Sequence, residues 1–397
     1  MRTKPFWQPS LPIFLPMLKM SQRRMKMINS CSLRFAPVVC AVEEEYEILI
    51  ATKTLGMVLV EIGDEIYHDT RAGICRAESN YFKIRVPQAA LDAAKKYTVV
   101  FRPSLGKKSY FTKFGRHEPV TFSFRPVEKT ENIRMYHVAD VHGYFGNAQK
   151  TVSYFGDGVD LFVVNGDIFE YNTEEGYLDT LAFLAEIGEG RVPMIFSRGN
   201  HDTRGRLSER YPEFFPCVDG NSYYTVKVGP LRALVLDCGE DKPDKGPEYD
   251  NTEDVPEKYR GLNRFHEYRR AEARFLASLA DKGEKFDFAV SHVCPNMTTF
   301  DKTSMFNIEA DVYADWTASL EKMGIKFMLC GHYHKCFLLE KDDAHNIVPH
   351  AYPVVVASDV KENDFLGGAI TYFPDRIDVA FTNMKHEIIE HHEISLA

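Results

Sequence analysis

Between residues 42 and 127, apolar and polar positions alternate in short runs at 46–50, 57–62, 82–86, 97–101 and 120–124. Alternation with a period of two places every second side chain on one face of a strand. Gly63-Asp64 separates two such runs and reads as a hairpin turn. Short strands with turns between them predict a small all-β sandwich over 42–127. The polar stretch 128–133 reads as a linker. From Arg134 onward the pattern changes. Apolar runs at 135–139, 161–165, 194–197, 233–237, 288–291 and 327–330 alternate with helical spacing. Leu178, Leu181 and Leu184 fall on one helix face, as do Tyr268, Ala271, Phe275 and Leu279, with Gly283 as a stop. Strands alternating with helices predict an α/β layered domain over 134–397. The segment 368–394 alternates again and adds strands. No internal repeat is visible.

Length and composition agree with this division. At roughly 150 residues per domain, 397 residues make two or three domains. With 44% hydrophobic residues, 28 Phe and 20 Tyr, a large core is expected and general disorder is excluded. Residues 1–41 read as a disordered tail, with Met25 or Met27 as an alternative start. The apolar stretch near the N-terminus is broken by Pro5, Pro9, Pro12 and Pro16 and is followed by Arg23, Arg24 and Lys26. It therefore makes a poor secretory signal, which needs an unbroken apolar core and a small-residue cleavage site. No run of 18 apolar residues occurs, so no membrane span and no membrane partner are expected. The eight cysteines form no Cys-x-x-Cys pair and read as free thiols in a reducing compartment, which points to the cytoplasm. A net charge of -9 excludes a broad nucleic-acid face. It leaves room for a small anionic substrate held by a local positive centre such as a metal ion.

The chemistry-bearing residues gather at strand ends of the second domain. The first strand ends in Asp140-Val141-His142-Gly143, the second in Asn165-Gly166-Asp167, and the third in Gly199-Asn200-His201-Asp202. Later strands end in Ser291-His292 and Gly331-His332-Tyr333-His334. Ligands of open α/β sheets bind beyond the carboxyl ends of strands, so these positions are expected to meet in one crevice. Asp140 and His142 are two residues apart, as are His332 and His334. On extended backbone each pair would point the same way. Asp, His and Asn together suit borderline-hard divalent ions. Each piece alone is weak: Gly-Asp is commonly a turn, and Asn200 or Asp202 could simply cap a helix. The series, in this order and each member after an apolar strand, is far more specific.

That series resembles the calcineurin-like metallophosphoesterase superfamily over residues 134–394. The resemblance implies a four-layer α/β/β/α metallophosphoesterase domain. The preceding segment is similar to the fibronectin-type-III-like N-terminal sandwich of purple acid phosphatases. The resemblance further implies two divalent metal ions, with Asp140, His142 and His334 on the first. It puts Asn200, His292 and His332 on the second, and Asp167 across both. His201 would protonate the leaving group or stabilise the transition state, and Asp202 would orient His201. Arg204, and less so Arg206, would contact a phosphate oxygen. The implied reaction is hydrolysis of a small phosphorylated substrate, a phosphomonoester or phosphodiester, by a metal-bridging hydroxide. The alternative is a catalytically weak protein-binding scaffold on the same fold. Scaffold members tend to lose a ligand or the histidine matching His201, and this chain keeps them all. One departure bears on the metal. The Gly-Asp-x-x-Tyr of purple acid phosphatases here reads Gly166-Asp167-Ile168-Phe169-Glu170, with Tyr171 one place late. The resemblance therefore favours Mn, Fe(II) or Zn over a ferric tyrosinate. The polar segment 239–266 follows a strand end and is long enough to shape substrate access.

Overall fold

A computed structural model describes residues 31–107, 110–242, 244, 263–295, 298–301, 308–341, 343, 346–361 and 363–396. Most of the expected tail, 1–30, lies outside the described residues, as does most of 239–266.

Two runs of paired strands make the frame. One contains β1 (Val38–Val42), β6 (Ile133–Val138), β7 (Leu161–Asn165) and β8 (Met194–Ser197). In it β6, β7, β8 and β1 lie side by side and parallel. The other contains β10 (Leu231–Leu236), β11 (Phe288–Ser291), β12 (Phe327–Cys330) and β14 (Val354–Lys361), also parallel in that order. β9 (Tyr224–Val228) and β13 (Lys335–Leu339) flank this second run antiparallel. A hairpin from β14 to β15 (Asp364–Tyr372) joins the runs, because β15 pairs with β6. β16 (Arg376–Thr382) and β17 (Ile388–Ser395) extend the first run, as the alternation at 368–394 predicted.

The period of two sorts the second run into two buried sets. Ala233, Val235, Phe288, Val290, Phe327 and Leu329 belong to the cluster shared with β6–β8. Leu234, Leu236, Ala289, Met328, Val354 and Val356 belong to the cluster holding Leu276 of α4 (Phe265–Asp281) and Trp316 and Leu320 of α5 (Ala310–Met323). Strands buried on both faces read as continuous apolar runs, and these do. On the other run, α2 (Phe145–Val152) and α3 (Glu174–Gly188) contribute Ala148, Leu181 and Leu184 to the first cluster. Thr173 caps α3 by accepting from the Gly176 N–H, and Glu174 and Glu175 in the first turn complement the helix dipole.

The N-terminal segment differs from its expected form in three ways. First, the chain from Ala36 to Val42 is buried rather than tail: β1 is fully buried and lies beside β8. Its sequence, Val38-Val39-Cys40-Ala41-Val42, is the continuous apolar run of a strand covered on both faces. Second, the runs at 46–50 and 57–62 form one strand, β2 (Glu45–Ile62), irregular between Ala51 and Gly56. Its first half pairs with β1 and β3 (Ser79–Pro87), its second with β4 (Lys96–Lys107), and β5 (Glu118–Ser123) pairs with β4 in turn. Through β2 and β1 the segment 42–127 is hydrogen-bonded into the central strands. It also docks by side chains: Lys83 Nζ donates to the Pro212 carbonyl and Arg85 Nη2 to the Cys217 carbonyl. Third, it is not purely β. The alanine-rich stretch after Pro87 forms α1 (Gln88–Ala94), as its helix propensity allows. The expected hairpin at Gly63-Asp64 is present, with Ile62 paired to Glu65.

Candidate metal centre

The strand ends meet as expected, but not for the reason the spacing suggested. Asp140, His142, Asp167, His332 and His334 all have left-handed backbone, with φ between 46° and 72°. Extended backbone would make residues two apart parallel. Here instead each strand breaks into a tight turn, and the turn aims the side chains inward. Non-glycine residues with positive φ cost energy and cluster at functional sites. The turns also approach one another closely at Gly166, where a Cβ would lie 2.4 Å from the Gly199 nitrogen and 2.8 Å from His292 Nδ1. With φ of +77° as well, only glycine fits there.

Each buried carboxylate is pinned by one oxygen and aimed by the other. Asp140 Oδ2 accepts from the His332 N–H at 2.8 Å, while Asp140 Oδ1 is buried without a hydrogen-bond partner. Asp167 Oδ1 accepts from the His201 N–H at 2.8 Å, and its Oδ2 lies 3.1 Å from His292 Nε2. The imidazoles are oriented similarly. His292 Nδ1 donates to the Asn165 carbonyl at 2.6 Å, which turns Nε2 to the carboxylates. His142 Nδ1 meets Glu170 Oε2 at 2.8 Å, which turns its Nε2 toward His334 Nε2, 3.0 Å away.

Three groups of ligand atoms result, each within 4.8 Å of one another: first Asp140, His142 and His334, second Asp167, His292 and His332, and third His142, Glu170 and His201, which shares His142 with the first and meets it through the supporting Glu170. Asn200 joins the second group, with Oδ1 2.8 Å from His332 Nδ1 and 3.2 Å from both His292 Nε2 and Asp167 Oδ2. Asp167 Oδ2 can only accept, so there lone pair faces lone pair, and the two imidazole nitrogens satisfy Oδ1 only when they carry protons. Turned over, the amide would donate to them and accept from Arg204 Nη2 at 2.9 Å, the orientation a cation-free site prefers. A cation at the convergence point reverses that preference. Together with the orphaned Asp140 Oδ1 and the facing His142 and His334 nitrogens, the donor set fits divalent metal.

The electrostatics agree. Burial would raise the Asp140 carboxyl, but His292 and His334 hold it down to about 2. Burial would likewise raise Asp167, and His292 foremost among the imidazoles holds it far lower. Conversely, burial would lower His292, and Asp167 and Asp140 push it up to about 10. Without a metal, a proton on His292 does part of the work of a cation.

The remaining site residues fall as follows. His201 sits beside the first two groups, with Nε2 2.8 Å from Arg204 Nη1 and Nδ1 3.4 Å from the Glu170 carbonyl. Burial and the Arg204 charge outweigh nearby carboxylates and lower its pKa. Asp202 does not orient His201. Its Oδ2 accepts the backbone N–H groups of Gly199 and Asp167, at 2.8 and 3.0 Å. A carboxylate three residues past Gly199 folds back onto that turn as a local cap, so Asp202 shapes the loops that present Asp167 and Asn200. The groups on the His201 ring are Glu170 and Arg204. Arg204 is present in the site, but its guanidinium is gripped by Glu240 at 2.8 and 2.6 Å and by Asp241 at 3.3 Å. Arg206 is exposed.

Three acidic residues of the site were not assigned roles from sequence. Glu170 supports His142. Glu240 and Asp241 open the long polar segment, and Asp241 Oδ2 lies 3.6 Å from His332 Nε2. Their signal was slight: Glu170 fills the register of the missing tyrosine, and Glu240-Asp241 follows directly on the end of β10. Arg269 of α4, itself buried, donates to the carbonyls of Cys238 and Glu240 and fixes that loop. Tyr171 is 46% exposed.

With this geometry in place, the comparisons are unambiguous about class. The family model for calcineurin-like phosphoesterases matches residues 133–336, and the chain belongs to that family. Among solved structures, the purple acid phosphatase PPD1 of yellow lupin seeds is similar with a TM-score of 0.57 at 12% identity, over 90% of this chain and 74% of that one. PhoD aligns with a TM-score of 0.49 at 11% identity, over 91% of this chain and 88% of that one. A predicted phosphoesterase of Streptococcus pneumoniae aligns at 0.32 and 12% identity, over 66% and 97%. At these identities the likeness is one of fold. No curated protein sequence matches the chain.

Proposed function

We propose that the chain is a dinuclear metal-dependent phosphoester hydrolase acting on a small phosphorylated substrate. The observation that carries this reading is the position of Asp167 Oδ2, 3.1 Å from His292 Nε2 and 3.9 Å from His142 Nε2, between the first two groups of ligand atoms. Asp140, His142 and His334 would hold one ion, Asn200, His292 and His332 the other, and Asp167 both. Mn, Fe(II) or Zn suits this mixture of nitrogen and oxygen donors. When bound, such a pair supplies Lewis acidity and an activated water. The α/β/β/α layering belongs to the same reading and is supported by the two buried clusters. So does the kinship of the N-terminal strands to a fibronectin-type-III-like sandwich, supported by β2 turning between two strand ladders at its irregularity.

This chain's own residues do the rest. The pinned carboxylates Asp140 and Asp167 fix the charge that faces the substrate. Glu170 and the Asn165 carbonyl fix the tautomers of His142 and His292. His201 and Arg204 stand where the phosphoryl oxygens or the leaving group would lie. Arg204 donates to His201 Nε2, so the neutral ring carries its proton on Nδ1. That arrangement favours charge stabilisation by the His201–Arg204 pair over proton delivery from Nε2.

The experiment is a screen of phosphomonoesters and phosphodiesters against protein reconstituted with Mn, Zn or Fe(II), each with a chelated control. Turnover that appears with metal and disappears on chelation is expected. A fully metal-loaded protein that hydrolyses none of them, while still binding protein partners, would favour the scaffold reading.

A further inference from the structure

The arginine that meets His201 is already neutralised. Every guanidinium nitrogen of Arg204 is engaged: Nε with Glu240 Oε2 at 2.8 Å, Nη2 with Glu240 Oε1 at 2.6 Å and Asp241 Oδ1 at 3.3 Å, and Nη1 with His201 Nε2 at 2.8 Å. Two parallel bonds to one carboxylate make a strong, directional pair. Lys242 is held by the same acids, with Nζ donating to Asp241 Oδ1 at 2.6 Å. Arg198, at the end of β8, is likewise paired, 2.6 Å from Asp237.

This clamp is built into the fold. Glu240 and Asp241 are both buried. Arg269 donates to the Cys238 carbonyl at 2.8 Å and to the Glu240 carbonyl at 2.6 Å, and the Gly239 N–H donates to Asp237 Oδ1 at 2.8 Å. A main chain tied on both sides of Gly239 keeps the two carboxylates on Arg204. On the other side of the His201 ring, Glu170 Oε1 lies 3.4 Å from Nδ1. Carboxylates therefore stand behind both ring nitrogens of His201.

Monoesters and diesters of phosphoric acid ask different things of such a site. A monoester dianion brings two charges and three terminal oxygens that accept hydrogen bonds. A diester brings one charge, two terminal oxygens and a second, neutral ester oxygen. An arginine with donors to spare would serve the third terminal oxygen. The Arg204 donors are aimed at Glu240 and Asp241 instead, and those carboxylates repel a second negative charge. We propose, on the reading of this centre as a hydrolase, that the chain selects phosphodiesters over phosphomonoesters, with Glu240 setting the preference by clamping Arg204. The neutral ester oxygen can lie beside the clamp, since it carries no charge to be repelled. Hydrolysis adds one water across a P–O bond: the water oxygen joins phosphorus, and the departing alkoxide gains a proton. The product is a monoester, which the same clamp disfavours, so the selectivity also aids its release.

The test uses the full chain loaded with Mn at mildly alkaline pH. There monoesters are dianions, and the Glu240 carboxyl, raised by burial to about 7, is ionised. Bis(4-nitrophenyl) phosphate and 4-nitrophenyl phosphate share a leaving group, and their kcat/KM values are compared. The wild type should favour the diester by at least about tenfold. Glu240→Gln should shift the ratio toward the monoester by about five- to tenfold. Asp241→Asn, which keeps Glu240 in place, should shift it in the same direction and stands in should Glu240→Gln fail to fold. Calorimetry with inorganic phosphate gives a readout without turnover: the dianion should bind Glu240→Gln about five- to tenfold more tightly than wild type. A wild type that turns over the monoester as well as the diester would overturn the proposal and leave the hydrolase reading standing. So would folded variants that change neither the ratio nor phosphate affinity. A metal-loaded chain that hydrolyses neither ester would contradict the hydrolase reading and the selectivity with it.

Discussion

His142 Nε2 and His334 Nε2 face each other at 3.0 Å, although they are contributed by turns 192 residues apart in sequence. Glu170 at His142 Nδ1 makes this meeting specific, because it fixes which ring nitrogen looks inward. Asp140 Oδ1, 3.4 Å from His334 Nε2, completes a set of donors whose mutual repulsion a cation relieves.

Glu170 is half-exposed and supports a ligand without belonging to the principal set. Glu170→Gln should therefore leave the fold intact and lower metal affinity about 10–100-fold, the usual effect of losing a carboxylate behind a metal-bound imidazole. Calorimetric titration of the metal-free protein with Zn or Mn measures this directly. Equal affinities for variant and wild type would remove Glu170 from the site.

Metal uptake should release a proton from His292. In the metal-free fold its pKa is raised from 6.5 to about 10 by Asp167 and Asp140, which overcome burial. A raised pKa means that the protonated ring stabilises the metal-free fold fully below about 6.5, and that this contribution fades as pH rises through about 10. Binding metal requires the neutral ring, so affinity should rise with pH across that window, by up to about tenfold per unit. Titrations in buffers of different protonation enthalpy count the proton. Uptake at neutral pH that releases none would contradict the assignment.

Arg204 holds a buried acid. Glu240 is 1% exposed and takes two hydrogen bonds from the guanidinium, and its next cation, Lys242, stands 4.0 Å away. Burial already raises the Glu240 carboxyl to about 7 with Arg204 beside it, so in Arg204→Ala it should take up a proton, and the loss should be about 1–3 kcal/mol for the unpaired polar group. Adding Glu240→Gln should restore part of it. Urea unfolding of the three variants decides, and a loss below about 1 kcal/mol would show a solvated, replaceable pair.

Strand ends and their order were legible because fully buried parallel strands leave uninterrupted apolar runs, and the polar residue ending each run stands out. What those residues do next was not. The left-handed turns at Asp140 and His332 leave no mark in a spacing of two, which reads equally as extended strand. The family resemblance set Asp202 behind His201, whereas its carboxylate reaches back to Gly199 and across to Asp167. The expected tail runs to residue 41 and so takes in most of β1, whose five-residue apolar run gains its place only from long-range pairing with β8. Glu240 meets Arg204, and Arg269 holds the Glu240 backbone, through tertiary packing alone.

Tyr171 should be spectroscopically silent. It is half-exposed, and Glu170 occupies the register where purple acid phosphatases carry the tyrosine that binds ferric iron. Iron-loaded, oxidised protein should therefore lack an intense visible charge-transfer band, and Tyr171→Phe should change neither spectrum nor turnover. A band that vanishes in Tyr171→Phe would bring that tyrosine to the metal.

Asp167 bears the central claim. Its Oδ2 lies between the first two ligand groups and its Oδ1 is tied to the His201 backbone. Removing it should therefore disable both sites rather than one. The decisive measurement is elemental analysis of wild type and Asp167→Ala after reconstitution and desalting. Two metal ions per chain in the wild type and strong depletion in the variant are expected. Two ions still retained by Asp167→Ala would contradict a shared, bridging carboxylate.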